Sequence, residues 1–280
     1  MISSKPSSLT RQNFLKLATL GAGALALRPL TKLDLPEFPQ AERLGRVTVG
    51  KVDVFLRPDA NSQIVGALYE DQIVSWIRET VGSMPGRINQ RWVETPYGHI
   101  WGGQVQTVWN QPNAPVQSLP ATSLGEGMWV EVTVPYVDFI LDNPPARAPW
   151  LQHQLSINLP PRFYYSQIVW ADQIRTDENG QVWYRLNEKY GSGDLFWGQA
   201  EAFHPLTAEE LTPIHPEVTE KRIVVKTRRQ TLSCFEGKTE IHFTRISSGA
   251  LYNAWGKRVN AWETPVGEYP IWHKSTQFGS

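Results

Sequence analysis

Cys234 is the only cysteine in 280 residues, so covalent thiol chemistry in this chain would have to start there. A nucleophilic thiol needs a neighbouring base and an exposed, electropositive setting that holds the thiolate. His242 is the nearest histidine along the chain. A hairpin turning at Gly237-Lys238 sets Cys234 opposite Ile241 and Ser233 opposite His242, and alternation then sends Cys234 and His242 to opposite faces of the sheet. A one-residue slip would bring them together. The turn-centred register is the one expected, with Cys234 a small apolar strand residue. The other histidines, His99, His153, His204, His215 and His273, lack the His-x-x-x-His spacing of a helical metal site, and one cysteine cannot build a multi-thiolate zinc site. Neither a Gly-x-Ser-x-Gly elbow nor a Gly-x-x-x-x-Gly-Lys loop is present. Glu209 and Glu210 are adjacent and would diverge on a helix. No catalytic, cofactor-binding or metal-binding residue is assigned on these grounds, and no cofactor is expected.

Aromatic residues are the other resource, with 12 Trp, 9 Tyr and 10 Phe. Trp92, Trp101, Trp183 and Trp197 recur in similar surroundings. Either they fill small cores, or some of them, with Trp76, Tyr97, Tyr164 or Tyr165, line a groove that takes a ligand by stacking and apolar contact.

The elements that must position these residues are mostly strands. With 21 Pro and 21 Gly, composition favours short strands and turns over long helices. Lys plus Arg equals Asp plus Glu at 27 each, so no net field attracts nucleic acid or anionic lipid, and no nucleic-acid partner is expected. Residues 1–30 read as an export signal. A polar start with Lys5 and Arg11 precedes an apolar, Gly- and Ala-rich run from Leu17 to Leu27, with Ala22-Gly23-Ala24 or Ala24-Leu25-Ala26 available for cleavage. The run falls short of the ~18 apolar residues of a span, so contact with a membrane is expected only through this signal or an uncleaved anchor. Thr10-Arg11-Gln12-Asn13-Phe14-Leu15-Lys16 resembles the twin-arginine signal, with Gln12 in place of the second arginine.

After a linker at 31–43, close-spaced β-branched residues at Val47, Val49, Val52 and Val54 begin a first strand-rich module at 44–110. A linker at 111–123 and a second module at 124–206 follow. Four sequence anchors recur in order: Val52–Leu56 as Val137–Leu141, Asp71–Ile73 as Asp172–Ile174, Gln90–Trp92 as Gln181–Trp183, and Ile100–Gly102 as Phe196–Gly198. Both modules resemble bacterial SH3-like domains, which begin with a Val-x-Val segment and end in a Trp-bearing hairpin. In the connector at 207–221, Thr207 and Glu210 have the spacing of a capping box.

Residues 222–280 carry Arg229-Gln230-Thr231-Leu232-Ser233-Cys234, then Ser247-Ser248-Gly249, then Thr264-Pro265-Val266-Gly267-Glu268-Tyr269-Pro270-Ile271. This succession resembles the L,D-transpeptidases that cross-link bacterial peptidoglycan, with Ser248 where threonine is commoner. The resemblance implies a transferase of cell wall biogenesis and cell shape, exported to the cell envelope, whose partners are peptidoglycan stem peptides and glycan. The family's nucleophile lies in a later His and Ser-His-Gly-Cys motif, and no Ser-His-Gly-Cys occurs up to Ser280. The expectation is therefore an all-β chain: two SH3-like small barrels, then the N-terminal half of an L,D-transpeptidase-type β domain, inactive alone. A noncatalytic wall-binding protein or pseudoenzyme is the alternative.

Overall fold

In a computed structural model, residues 35–188, 191–246, 248–249, 255–259 and 263–270 are described. The expected export signal and His273 lie outside them. The described chain is all-β with one short α-helix and a single 3-10 turn at Ala200–Ala202, and it divides into two units between Leu206 and Thr207.

The first unit begins with strands β1 (Leu44–Val47), β2 (Lys51–Phe55), β3 (Ile64–Tyr69), β4 (Ile73–Ser75), β5 (Arg78–Val81), β6 (Arg91–Thr95), β7 (Gly98–Trp101) and β8 (Val105–Val108). They form two sheets, β4-β1-β8 and β3-β2-β7-β6-β5. Alternation decides what each strand buries: Val52 and Val54 of β2 point inward, to meet Val47, Leu68, Val74, Trp76, Val93, Ile100 and Val105.

One short pair of strands, β9 (Ala121–Thr122) and β10 (Gly125–Glu126), leads into β11 (Met128–Val132), β12 (Tyr136–Asp138), β13 (Ile140–Leu141), helix α1 (Pro149–Ser156), β14 (Arg162–Tyr164), β15 (Ile168–Thr176), β16 (Val182–Asn187), β17 (Leu195–Gln199) and β18 (Phe203–Pro205). Helix α1 follows a short stretch that holds Pro144 and Pro145. Pro149 sits in its first turn, where no backbone donor is lost. Ala148 offers no side-chain cap, and the buried carboxylate of Asp194 instead accepts from the N–H groups of Arg147 at 2.8 Å and Ala148 at 2.7 Å.

The second set of strands repeats the pairing of the first. β11 pairs with β15 and β18 as β1 pairs with β4 and β8. Val52 faces Leu68 and Val137 faces Phe163; Phe55 faces His99 and Ile140 faces Trp197; Trp92 faces Trp101 and Trp183 faces Gln199. The first and third sequence anchors thus hold, and the other two are displaced. Asp71-Gln72-Ile73 corresponds to Ser166-Gln167-Ile168, not to Asp172-Gln173-Ile174. Asp71 and Ser166 both take positive φ, at 64° and 68°, and both donate to a valine carbonyl, of Val47 and Val132. In each turn the glutamine oxygen accepts from a tyrosine N–H three residues back, Tyr69 or Tyr164, at 2.6 Å. The chemistry that closes each turn is inverted, being Arg46 to Asp71 at 2.7 Å in one and Ser166 to Glu131 at 2.9 Å in the other. Likewise Trp101 corresponds to Gln199, and Trp197 to His99. The two Trp-Gly pairs fall on one hairpin strand two residues apart.

The two modules share a core. Phe38, Leu44 and Val108 pack into the cluster of Met128, Val130, Phe139, Phe163, Phe196 and Phe203. Above it runs a chain of alternating charges. Asp71 takes Arg46 on one oxygen, and Arg162 at 2.8 Å and the Tyr164 hydroxyl at 3.1 Å on the other; Arg162 continues to Asp138 at 2.7 Å. Both guanidinium groups also stack on tyrosines, Arg46 over Tyr164 at 4.1 Å and Arg162 over Tyr136 at 4.0 Å.

The second unit starts with a single helical turn in which Thr207 and Glu210 cap each other, the side-chain oxygen of each accepting from the other's N–H at 3.3 and 2.7 Å. A three-stranded sheet follows, β19 (Lys221–Lys226), β20 (Thr231–Glu236) and β21 (Thr239–Arg245), with β20 central. Gly237 opens the β20–β21 turn at φ 56°, a conformation glycine adopts without cost. Next to the turn the expected register holds, with Phe235 facing Glu240. A bulge then adds Ile241 to β21, so Cys234 faces His242 and Ser233 faces Phe243. The expected placement of Cys234 and His242 on opposite faces is corrected by this one extra residue.

Two outcomes follow for the first unit. Replacing Asp71 with alanine leaves two largely buried guanidinium groups without their shared carboxylate and should cost about 3 kcal/mol or more in urea unfolding. Burial first, then the charge and hydrogen bond of Asp71, push the Tyr164 hydroxyl up to about 12 from 10.0. Burial raises Tyr136 and Tyr184 in the same direction. The unfolded chain therefore releases protons that the folded one keeps, so this stabilisation is complete below about pH 10 and is lost as pH rises through about 12. Thermal unfolding across that range should show a falling midpoint, and a flatter fall in Tyr164→Phe.

Candidate functional site

In the second unit three separated sequence motifs meet at one junction. The turn from β19 to β20 places Gln230 at φ 53°, and its backbone carbonyl accepts from the Ile246 N–H at 3.0 Å. Its side-chain amide then holds Ser248 from both ends: Oε1 accepts from the Ser248 N–H at 2.7 Å, and Nε2 donates to Ser248 Oγ at 2.5 Å. The next N–H, that of Gly249, donates to Thr264 Oγ1 at 2.8 Å. Gln230, Ser248-Gly249 and Thr264 are thereby tied in sequence by short polar contacts, two of which satisfy backbone N–H groups outside the strands, those of Ser248 and Gly249. These residues are visible in the sequence within their motifs, Gln230 as the start of Gln-x-Leu, but the contact of Gln230 with Ser248 is not. The local signal for that contact is a polar residue at a turn between two apolar strands.

Beside this junction lies a groove of about 960 Å³, bounded by Lys221–Val225 and Thr227 on one side and Thr264–Pro270 on the other. A smaller groove of about 480 Å³ continues it along Val225–Arg229. The apolar side chains Ile223, Val225, Val266 and Tyr269 are exposed.

Cys234 is half-buried on β20 and His242 exposed on β21. They are cross-strand neighbours, yet no hydrogen bond joins them, and the pairing that would activate a thiol is not assembled. Of the other histidines, His215 bonds the Glu236 carboxylate at 2.8 Å on the surface, His153 lies in α1, His99 in β7 and His204 in β18. Among the described residues no group of three or more His, Cys, Asp or Glu side chains has the geometry to hold a metal ion.

The aromatic candidates separate by burial. Trp92 and Trp183 are buried outside the two apolar clusters, Trp92 edge-on to Phe55 with ring centroids 5.4 Å apart and Trp183 donating its indole N–H to Asp177 at 3.2 Å; Trp197, also buried, donates its indole N–H to Asp142 at 2.9 Å. Trp101 is half-buried, with Arg87 above its ring and its N–H on the Asn89 carbonyl. Trp76 is buried beneath the Arg43 guanidinium, at 4.3 Å. Tyr164 belongs to the charge chain, and Tyr165 packs on Trp109 at 5.6 Å. Tyr97 alone of the aromatics considered for a groove is well exposed, at 64%, on the rim of a cleft of about 430 Å³ formed with Val54, Val65–Leu68 and Gln72–Val74.

Compared with models of known protein families and with curated protein sequences, the chain finds no match in either.

Removing the Gln230 amide should open the junction. In Gln230→Ala the Ser248 N–H loses its acceptor, at a cost of about 1–2 kcal/mol. Amide hydrogen exchange should quicken at Ser248 and Gly249 while the core amides of β2 and β16 keep their rates.

Proposed function

We propose that this chain is an exported protein of the bacterial cell wall, related to the L,D-transpeptidases, in which residues 222–280 supply the scaffold of the catalytic sheet and two SH3-like modules precede it. The observation that carries the reading is the junction itself. The three motifs that resemble the family, far apart in sequence, meet through Gln230, Ser248, Gly249 and Thr264. In that family a cysteine thiolate accepts the acyl group of a tetrapeptide stem, releasing D-alanine, and passes it to an amine on a neighbouring strand; a histidine moves the protons. The 280 residues contain no Ser-His-Gly-Cys, and Cys234 has no hydrogen-bonded base. On this reading the chain holds scaffold and no nucleophile.

A second reading, noncatalytic wall binding by the two modules, is favoured by the open cleft under Tyr97. An exposed phenol beside an apolar cleft suits stacking on a sugar face or packing against a stem peptide.

Incubated with tetrapeptide muropeptides, this chain should give no cross-linked dimers by mass spectrometry; dimers would overturn the assignment of scaffold without nucleophile. Sedimented with purified peptidoglycan, it should be retained. If Tyr97→Ala lowers retention, the modules bind the wall through that cleft. No retention of the unmodified chain would defeat both readings.

A further inference from the structure

β19 is an edge strand. β20 pairs with its inner side, and among the described residues no strand pairs with its outer side. The larger groove is bounded by five consecutive residues, Lys221 to Val225. Because side chains alternate between faces, an unbroken run of five lines one groove only where that groove follows the strand's edge. The Thr264–Pro270 segment forms the opposite wall, and between them runs a slot beside a ladder that no described strand pairs.

The two faces beside this slot differ in chemistry. Ile223 and Val225 project to one face and are exposed; Arg222, Val224 and Lys226 project to the other, with Arg222 and Lys226 exposed. Past Lys226 the smaller groove runs along exposed Arg228 and Arg229. Across both grooves the charged lining residues are Lys221, Arg222, Lys226, Arg228 and Arg229 against a single carboxylate, Glu268. The edge is basic, though the whole chain is neutral.

We propose that the outer edge of β19 is a docking site for an extended, anionic peptide, which adds to the sheet as a further strand. Main-chain hydrogen bonds to β19 supply the attachment, and alternate side chains supply the selection. A peptide with apolar residues at every second position sets them beside Ile223 and Val225. The intervening carboxylates then fall on the face of Arg222 and Lys226, with the next within reach of Arg228. The inference goes beyond the wall reading, since it rests only on the edge, the slot and their charge.

The test uses the full chain and a labelled peptide of alternating valine and glutamate, matched in length to β19, followed by fluorescence anisotropy. Saturable binding is expected, weakening as salt rises. A valine–lysine peptide of equal length should not bind. The double variant Lys226→Glu, Arg228→Glu, altered only at exposed positions, should weaken binding about tenfold or more. A valine–glutamate peptide N-methylated at alternate residues keeps its charge and loses its donors, and should bind far more weakly. Equal binding of the N-methylated peptide would overturn strand addition, and no saturable binding of the parent peptide would overturn the site. Dimers of the chain in sedimentation that the peptide fails to dissociate would assign the edge to a second copy and overturn the proposal.

Discussion

Asp71 lies where two guanidinium groups and a phenol converge, at the contact between the two modules of the first unit. Taking such charges out of water costs several kcal/mol per ion, offset only when every lone pair and proton finds a partner. Here the pairing is nearly complete: both oxygens of Asp71 are engaged, and Arg162 is shared with Asp138. The tyrosine rings beneath the arginines provide flat apolar floors that favour guanidinium over ammonium. This polar seam fixes how the modules meet, and the continuous core of Leu44, Val108 and the residues of β11 to β18 supplies the cohesion. One without the other would leave either an unspecific apolar contact or an expensive ionic one.

The second unit is built on a different economy of contacts. Its sheet has three strands, and isoleucine, valine and phenylalanine side chains remain exposed on both faces. Its irregular segments are instead ordered by single polar side chains that stand in for missing strand partners. Gln230 does this for Ser248, Thr264 for Gly249, and the Thr207–Glu210 pair for the turn leading into the unit. An edge that is basic on one face and apolar on the other sits naturally in such a unit, since nothing else among the described residues saturates its ladder.

How much of this was legible in the sequence depended on whether the cause was local. Alternating Val52 and Val54, the capping pair Thr207 and Glu210, and the turn at Gly237-Lys238 are written within a few residues, and the all-β class follows from their number. The bulge at Ile241 was not legible, because an extra residue in one strand is selected by packing across the sheet. It alone decided that Cys234 faces His242. The repeat was visible where it carries buried residues, at Val52 and Trp92. It was misaligned where it depends on backbone geometry, because Asp71 and Ser166 share a positive φ and no side-chain likeness, while Asp172 matched Asp71 in letter only. Arg162 was invisible as a partner of Asp71 for the ordinary reason that the two lie far apart along the chain.

The correspondence between the modules also gives their contact a direction. The position of Asp71 in the first module is held by Ser166 in the second, and the position of Arg162 in the second is held by Ala67 in the first, as the strand pairing requires. At these two positions the second module has no carboxylate and the first has no guanidinium. The joint is therefore a plug on one module and a socket on the other, asymmetric although the strand pairings on its two sides match.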